Sequence, residues 1–213
     1  LPRFFQKYPH VRMEIELNEQ FRPSKIVCVG RNYADHAAEL GNEVPKEPML
    51  FLKAPSALIL SGENIVLPSL SQQIEHEAEL AVVIGKACKD IGDDEDVAGY
   101  VRGYTCLNDV TARDLQRRDG QFARAKSFDT FCPVGPRMVS GLDVTDLKIC
   151  CRVNGVEMQS ARTSQMVFSV DFLIRYVSRM MTLLPGDLIA TGTPSGVSKL
   201  NPGDVCEVEI EGI

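Results

Sequence analysis

The stretch Ile74-Glu-His-Glu-Ala-Glu-Leu-Ala-Val-Val-Ile84 changes character halfway along its length. Its first half alternates between acidic and other side chains, which is typical of a strand with one face toward the core. Its second half is uniformly apolar up to Gly85, which is typical of a strand that is buried on both faces. We therefore predict one strand that runs from the edge of the protein into its core and carries acidic residues at its outer end.

Other short apolar and β-branched segments predict further strands, which glycine and proline turns separate. They are residues 25–30, 49–53, 64–67, 100–108, 188–191 and 205–210, with a hairpin over 148–159 that turns at Asn154-Gly155. A short exposed helix is predicted over 33–40, capped by Asn32 and stopped by Gly41, and another over 112–118. A longer helix is predicted from a Ser169 cap to Met181, with one apolar face formed by Phe172, Leu173, Tyr176, Val177 and Met180. Strands outnumber helices without regular alternation, so the predicted fold class is α+β.

Composition limits the kinds of protein that this chain can be. The 213 residues are 44% apolar and 24% charged, which is ordinary for one globular domain. A formal net charge of −6 argues against nucleic acid as a partner. Neither a membrane-spanning apolar run nor a signal peptide is evident, so we expect an intracellular protein with no membrane association, in the cytoplasm or in a mitochondrial matrix. The final strand runs into Gly212-Ile213 without a natural ending, so we expect that the chain lacks its last residues.

The seven cysteines are an odd number and contain no C-x-x-C pair. Only three histidines are present to activate a cysteine nucleophile. We therefore expect buried, reduced thiols that serve packing.

Glu75, Glu77 and Glu79 fall on one face of the predicted strand, because side chains alternate with a period of two. They could form a solvated strand face. The strand continues into the core, however, where uncompensated carboxylates cost several kcal/mol, and a cation would remove that cost. Oxygen ligands suit Mg²⁺, Mn²⁺ or Ca²⁺. Asp109, at the end of a predicted strand, is the candidate for a further carboxylate.

Several other residues are candidates for chemistry. Asp114 and Asp119 compete with Asp109, but they lie on an arginine-rich helix where surface ion pairs are expected. His36 and Glu39 are three residues apart on a predicted helix and can form an acid–base pair. Lys126 stands among apolar and small residues and could stabilise an enolate or oxyanion. The loop Thr191-Gly-Thr-Pro-Ser-Gly196 permits a close backbone approach to a ligand.

Five short motifs together resemble the fumarylacetoacetate hydrolase family. In chain order they are Gly30-Arg-Asn-Tyr-Ala-Asp-His36, His76-Glu-Ala-Glu79, Asn108-Asp-Val-Thr-Ala-Arg-Asp114, Ala125-Lys-Ser-Phe128 and Thr191-Gly-Thr-Pro-Ser-Gly-Val197. The resemblance covers residues 25–213, taken as a single catalytic domain, and it is greatest for the single-domain acylpyruvase and oxaloacetate-handling branch. Residues 1–24 are too few for the additional N-terminal domain of fumarylacetoacetate hydrolase proper, and we expect them to be an extension packed on the domain.

The resemblance implies a mixed β-roll with flanking helices, usually a homodimer. It implies that Glu77, Glu79 and Asp109 bind Mg²⁺ or Mn²⁺, which leaves Glu75 out. It further implies that His36 and Glu39 form a catalytic dyad on a lid helix and that Lys126 contacts the ligand oxygens. The residues implied to line the substrate pocket are Arg31, Gln116 and Thr193.

These residues together predict a divalent-metal-dependent enzyme that acts on small 2-oxo acids. The first hypothesis is hydrolysis of the C–C bond of acylpyruvates such as acetylpyruvate or fumarylpyruvate, with a metal-stabilised pyruvate enolate as the intermediate. The alternatives are an oxaloacetate keto–enol tautomerase or decarboxylase, or a 2-hydroxyhepta-2,4-diene-1,7-dioate isomerase. A more remote alternative is a non-catalytic protein that binds a metal, with Ca²⁺ in a structural site, or a 2-oxo acid.

Overall fold

The computed structural model describes residues 12–213. Its strands are β1 (Glu14–Glu16), β2 (Ile26–Gly30), β3 (Met49–Lys53), β4 (Leu58–Leu60), β5 (Ile74–Glu75), β6 (Ala78–Ile84), β7 (Val101–Asn108), β8 (Thr111–Ala112), β9 (Cys132–Val134), β10 (Arg137–Val139), β11 (Lys148–Val153), β12 (Val156–Arg162), β13 (Leu188–Ala190) and β14 (Cys206–Ile210). Its helices are α1 (Ala34–Glu39), α2 (Arg113–Asp119), α3 (Ala123–Lys126) and α4 (Val170–Met180), with 3₁₀ turns at Pro55–Ala57, Val97–Tyr100 and Thr163–Gln165.

A large mixed sheet forms the centre of the fold. Its strand order is β1-β10-β7-β6-β13-β2-β3, and β9 joins β4 to β7 beside this path. Strand β13 runs parallel to β2 and antiparallel to β6. A three-stranded sheet, β12-β11-β14, and a two-stranded sheet, β5-β8, complete the strands. This mixed arrangement with few helices confirms the predicted α+β class.

Both faces of the large sheet are buried. On β6, Leu80 and Val82 contribute to one apolar cluster, and Ala81 and Val83 contribute to a second cluster on the opposite face. Helix α4 and strands β11 and β14 supply residues to the first cluster. A strand between two cores must be apolar at every position, which explains the uniform second half of residues 74–84.

The predicted strand over 74–84 is in fact two strands. The backbone leaves the ladder at His76, whose N–H donates to the Ser198 carbonyl, and at Glu77, whose N–H donates to Asn108 Oδ1. The predicted strand over 64–67 was also wrong. Strand β4 lies earlier in the chain, where it pairs with β9.

Helix α1 begins differently from the prediction. Asn32 is buried and does not cap it, because its side chain donates to the carbonyls of Phe168 and Thr191 and accepts from the Phe168 N–H. Tyr33 holds the N-cap position without a side-chain hydrogen bond. The expected exposure was wrong for His36, which is buried. The stop at Gly41 is confirmed by its left-handed φ of +68°.

Helix α4 begins as predicted, since Ser169 Oγ accepts from the Phe172 N–H at 3.3 Å. Its predicted apolar face was only partly right. Leu173 and Val177 are buried together with Val170 and Ile174, whereas Phe172 and Met180 are about half exposed. The aromatic residues Phe168, Phe172 and Tyr176 instead stack in a row beside the buried face, with centroid separations of 5.6 and 5.9 Å.

The predicted hairpin turn and the predicted free cysteines are confirmed. The hairpin between β11 and β12 turns at Asn154 and Gly155, which both adopt positive φ angles, as a tight hairpin requires. All seven cysteines are free thiols, and only Cys206 is not fully buried. Strand β1 pairs with β10 as the edge strand of the large sheet, and residues 1–11 of the expected N-terminal extension lie outside the described residues. Within residues 12–213 no helix has the length and apolar character that crossing a bilayer requires.

Candidate active site

The candidate site lies at one end of the large sheet, where several strands start or stop together. Strands β2 and β13 end there, β7 ends there, and β6 begins there, because Ala190 pairs with Cys28 and Ala81, and Ala78 pairs with Asn108. Residues just beyond these strand ends therefore converge without a long loop. They are Arg31 after β2, Glu77 before β6, Asp109 after β7 and Thr193 after β13.

Three of the predicted metal ligands form one buried cluster. One carboxylate oxygen from each of Glu77, Glu79 and Asp109 lies within 4.8 Å of the other two. The Asp109 N–H donates to the Glu77 carbonyl at 2.8 Å, which fixes the two segments side by side. Glu75 is outside the cluster, as the resemblance implied, and its carboxylate accepts from Arg113 Nε at 2.7 Å. Oxygen-only ligands in this number suit a hard divalent cation that keeps open positions for a ligand.

Buried cations surround the cluster. Lys126 Nζ is 2.7 Å from Glu77 and 2.5 Å from Asp109, so in this structure it pairs with carboxylates of the cluster, and its contact with ligand oxygens stays a prediction. Lys53 Nζ is 2.5 Å from the other Asp109 oxygen, and Arg113 also pairs with Glu77. The pKa of Glu77 is lowered, because Lys126 and Arg113 together outweigh the raising effect of burial.

Sequence reasoning missed Lys53 and Arg113. Lys53 ends an apolar strand, and a cation at the end of such a run was the available signal. Arg113 opens the helix that was interpreted as an arginine-rich surface element, yet its side chain is buried between Glu75 and Glu77. Neither cation is close in sequence to the carboxylate with which it pairs, so these ion pairs become visible only in the folded structure.

Glu79 differs from Glu77 and Asp109, whose charges are paired with buried cations. Its Oε2 accepts from the Gly192 N–H at 2.8 Å, and no cationic side chain within residues 12–213 forms an ion pair with it. Burial raises its pKa well above the usual range, and the charges of Asp109 and Glu77 raise it further. Among the residues that the structure describes, the site thus holds four buried acids, Glu75, Glu77, Glu79 and Asp109, and three buried cations, Lys53, Arg113 and Lys126. A divalent cation fits this donor set and would supply the missing positive charge.

Gly192 permits the contact with Glu79. Its φ of +100° favours glycine, and a Cβ there would lie 2.7 Å from Asn32 Cβ and 3.1 Å from the Val29 carbonyl oxygen. The loop after β13 can therefore approach β2 closely enough to present its N–H to Glu79 only with glycine at this position.

His36 and Glu39 form the predicted pair on α1. His36 Nδ1 is 3.2 Å from Glu39 Oε2, and the other Glu39 oxygen accepts from the Gly196 N–H at 2.9 Å. The imidazole is buried, whereas the Glu39 side chain is about one-third exposed. The carboxylate therefore orients the ring, and the loop that contains Gly196 orients the carboxylate.

A cavity of about 540 Å³ joins the cluster and the dyad. All nine predicted site residues line it: Arg31, His36, Glu39, Glu77, Glu79, Asp109, Gln116, Lys126 and Thr193. Arg31 adopts a left-handed φ of +59°, which is uncommon for a residue with a side chain and typical of functional sites. Thr193 also has a structural part, since its Oγ1 donates to the Ala78 carbonyl at 2.8 Å.

The two competing aspartates lie elsewhere. Asp119 forms the expected exposed ion pair with Arg124. Asp114 forms no ion pair with any residue in the described range 12–213, and its carboxylate instead accepts from Ser71 Oγ and the Gln72 N–H. Its location at the start of α2 makes it an anchor for the segment before β5 rather than a charge partner.

The fold and the site together define a class: an α+β scaffold that presents a buried acidic cluster and a His–Glu pair to one cavity. Residues 25–213 match the family model for the fumarylacetoacetate hydrolase C-terminal domain. The chain therefore belongs to the fumarylacetoacetate hydrolase family, whose members are enzymes that generally depend on a divalent metal.

Several known proteins with different descriptions are similar to this chain. An uncharacterized protein of Methanocaldococcus jannaschii is 55% identical over 195 residues, which are 92% of this chain and 82% of that protein. A mitochondrial oxaloacetate tautomerase of Bos taurus is 50% identical over 202 residues, which cover 89% of this chain and 64% of that enzyme. The crystal structure of a 2-hydroxyhepta-2,4-diene-1,7-dioate isomerase from Mycobacterium marinum is 46% identical and has a TM-score of 0.83, with 91% of this chain and 72% of that chain covered.

Proposed function

We propose that this protein is a divalent-metal-dependent enzyme that interconverts the keto and enol forms of small 2-oxo diacids. The observation that carries the proposal is the buried, incompletely neutralised carboxylate cluster facing His36 across one cavity. Two of the similar proteins are named as an oxaloacetate tautomerase and as an isomerase of a 2-hydroxy dienedioate, which supports this reaction class.

The metal site in this proposal consists of Glu77, Glu79 and Asp109. A divalent cation held there would supply a Lewis acid for the keto and carboxylate oxygens of a 2-oxo acid. Mg²⁺ and Mn²⁺ are the cations that we propose, because the donor set contains oxygen only and is small enough to leave positions open.

The residues of the chain supply the proton chemistry. In the keto-to-enol direction His36 takes a proton from the carbon beside the keto group and delivers it to the keto oxygen, and in the reverse direction it moves the proton from the enol oxygen to that carbon, while Glu39 holds the ring in position. The Lys126 ammonium stabilises the negative charge that develops on the substrate oxygen when that proton leaves. The buried location of His36 keeps bulk water away from the proton in transit.

The cavity also favours a substrate with a second carboxylate. Arg31 and Arg117 line the cavity in addition to the cations that already pair with the cluster. Guanidinium groups bind carboxylates in a bidentate manner. We assign Arg31 and Gln116 to the binding of the distal end of the substrate, with Thr193 at the edge nearest β6.

A second candidate reaction is hydrolysis of the C–C bond of an acylpyruvate. It is favoured by the size of the cavity, since about 540 Å³ exceeds the needs of a four-carbon diacid and leaves room for an acyl group and a water molecule. His36, assisted by Glu39, would then activate that water for attack on the distal carbonyl. Both reactions require the same negative charge on the 2-oxo oxygen, so they share Lys126 and the carboxylate cluster.

One experiment separates these reactions. Oxaloacetate, acetylpyruvate and fumarylpyruvate are supplied with Mg²⁺ or with a chelator, and enol absorbance and pyruvate formation are followed in parallel. We expect Mg²⁺-dependent enol decay without pyruvate for oxaloacetate. Mg²⁺-dependent pyruvate from an acylpyruvate would instead identify the hydrolase. No metal-dependent change with any substrate would contradict the proposed function.

A further inference from the structure

We propose that His76, Cys151 and Cys206 form a second metal site, which binds one thiophilic cation such as Zn²⁺ and is separate from the carboxylate cluster. The three side chains come from distant parts of the chain, yet one ligand atom from each lies within 4.8 Å of the other two. None of the three belongs to the substrate cavity described above.

The strand pairing brings the two thiols together. Strands β11 and β14 are antiparallel neighbours in which Cys151 pairs with Val208 and Val153 pairs with Cys206. The two cysteines are therefore diagonal neighbours on one face of the sheet, and their sulfur atoms are 3.5 Å apart. In a tetrahedral zinc site with Zn–S bonds of about 2.3 Å, two sulfurs are about 3.8 Å apart. The observed sulfur–sulfur distance is therefore only a few tenths of an ångström shorter than the distance in such a zinc site.

His76 completes the set because the backbone leaves the ladder between β5 and β6. Its ring is held on both sides, with Nδ1 3.1 Å from Gln159 Oε1 and Nε2 2.9 Å from Ser198 Oγ. A metal-bound histidine usually donates its other N–H to an oxygen acceptor, which fixes the ring orientation. Gln159 and Ser198 offer that partner whichever nitrogen coordinates.

The donor atoms determine which cation fits. Two sulfurs and one imidazole nitrogen are the ligands of zinc and copper(I), whereas the carboxylate cluster suits Mg²⁺ and Mn²⁺. The two sites in one molecule would thus select different metals. Asn108 Nδ2 donates to Cys206 Sγ at 3.5 Å, which supports a negatively charged sulfur at that position.

A path to the site exists. Cys206 is half-buried and, with Asn108 and Glu207, lines a second cavity of about 290 Å³. A cation can therefore reach Cys206 without passing through the substrate cavity. The fourth coordination position would face this cavity and could hold a water molecule.

A disulfide between the same thiols is the competing interpretation. Diagonal neighbours on antiparallel strands are about 7–8 Å apart, which exceeds the Cα separation that most disulfides allow. A bridging cation makes no such demand, because it adds about 4.6 Å of metal–sulfur bonds between the two side chains. The strand geometry therefore favours the metal.

The test uses the full chain, reduced and stripped of metal. Co²⁺ is added as a spectroscopic probe, and thiolate-to-cobalt charge transfer is followed in the near ultraviolet. We expect a band that saturates at one equivalent and disappears when Zn²⁺ is added. The variant Cys206→Ser should lose the band, whereas Cys150→Ser, which alters the neighbouring residue on the other face of β11, should retain it. The variant Glu79→Gln should also retain it, because carboxylates give no such band.

Alkylation of the unaltered protein provides a readout that needs no variant to fold. Zn²⁺ should slow the reaction of Cys206 with iodoacetamide by about tenfold or more, as measured by peptide mass spectrometry. The absence of a cobalt band, a band that survives in Cys206→Ser, or a Cys151–Cys206 disulfide that forms despite excess Zn²⁺ would each overturn the proposal.

Discussion

Glu79 is the residue whose environment departs furthest from that of an ordinary glutamate. Within residues 12–213 its one hydrogen-bond donor is the Gly192 N–H, and burial together with the charges of Asp109 and Glu77 raises its pKa more than Lys126 and that hydrogen bond lower it. A raised pKa means that the Glu79 carboxyl group holds its proton to higher pH than an ordinary glutamate does, and we expect a bound cation to displace that proton. We therefore expect the free energy of unfolding of the metal-free protein to depend on pH through the protonation of Glu79.

The pH dependence of stability tests this reasoning. Because the pKa of Glu79 is raised in the folded state, the folded protein binds one proton more than the unfolded chain above the ordinary glutamate pKa of about 4.3. Unfolding free energy then falls as pH rises, by up to about 1.4 kcal/mol per pH unit, until the raised pKa is reached. The variant Glu79→Gln should lack this slope and melt at a higher temperature than the unaltered protein at pH 7 with a chelator present. Parallel melting curves from pH 5 to 8 for the two proteins would refute the argument, and Glu19→Gln serves as the exposed control.

His36 is the residue that the proposed reaction needs most. Replacing it with alanine should reduce the catalytic rate by about 10²- to 10⁴-fold, because a positioned general base contributes that much. Asp35→Ala, which alters the exposed neighbour on α1, is the matched control and should leave the rate nearly unchanged. The rate of enol decay with saturating Mg²⁺ is the measurement. A loss of less than about threefold in His36→Ala would remove this residue from the mechanism.

Residues such as Lys53 and Arg113 mark the limit of sequence reasoning at this scale. The acids were visible because they recur with the period of a strand. A buried lysine or arginine gives no periodic pattern in the sequence. Its role depends on a carboxylate that only the fold brings next to it. Lys53 is 56 residues from Asp109, and Arg113 is 36 residues from Glu77.

Elements were predictable where local chemistry decides their form. The Asn154-Gly155 turn and the Ser169 cap act within a few residues, and both occur as predicted. The break between β5 and β6 could not be predicted, because it depends on hydrogen bonds that the His76 and Glu77 N–H groups donate to Ser198 and Asn108, which are distant in sequence. Strand β4 likewise depends on its parallel partner β9, which lies more than 70 residues later.

The junction between β2, β13 and α1 is the element on which the site depends most. Gly192→Ala should destabilise the protein by about 2–4 kcal/mol, because the added Cβ meets Asn32 and the backbone must also hold a left-handed φ. Gly203→Ala is a matched control, since Gly203 has a similar φ of +90° but nothing within 4 Å of the added atom. It should cost only about 1–2 kcal/mol. Urea unfolding measures both, and equal losses would show that close packing at Gly192 has no role.

At the scale of the whole molecule, the excess of buried acid links metal binding to folding. A divalent cation at 100 times its dissociation constant should raise the free energy of unfolding by about 2.7 kcal/mol. For a chain of this length that corresponds to a rise in melting temperature of about 5–10 °C. Thermal unfolding with and without Mg²⁺ or Mn²⁺ measures the shift. Glu79→Gln should lose most of it, and a full shift in that variant would show that the cation binds elsewhere.

The family resemblance also predicts that two copies of this chain form a homodimer. The expected homodimer stays a prediction, which light scattering tests directly. A mass of twice 23.5 kDa would support it, and a mass of 23.5 kDa would contradict it.

The two halves of the candidate site are attached to the fold in different ways. The acidic cluster is built into strand ends between two apolar cores, so most changes there would endanger the fold itself. The His36–Glu39 pair stands on a six-residue helix that touches the scaffold through few polar contacts, such as the one from Gly196 to Glu39. In the proposed function, substitutions on this helix can therefore change the reaction while the carboxylate cluster, which binds the metal, is kept. We expect that exchanging residues 34–42 between two relatives changes the reaction and leaves the affinity for the divalent metal unchanged.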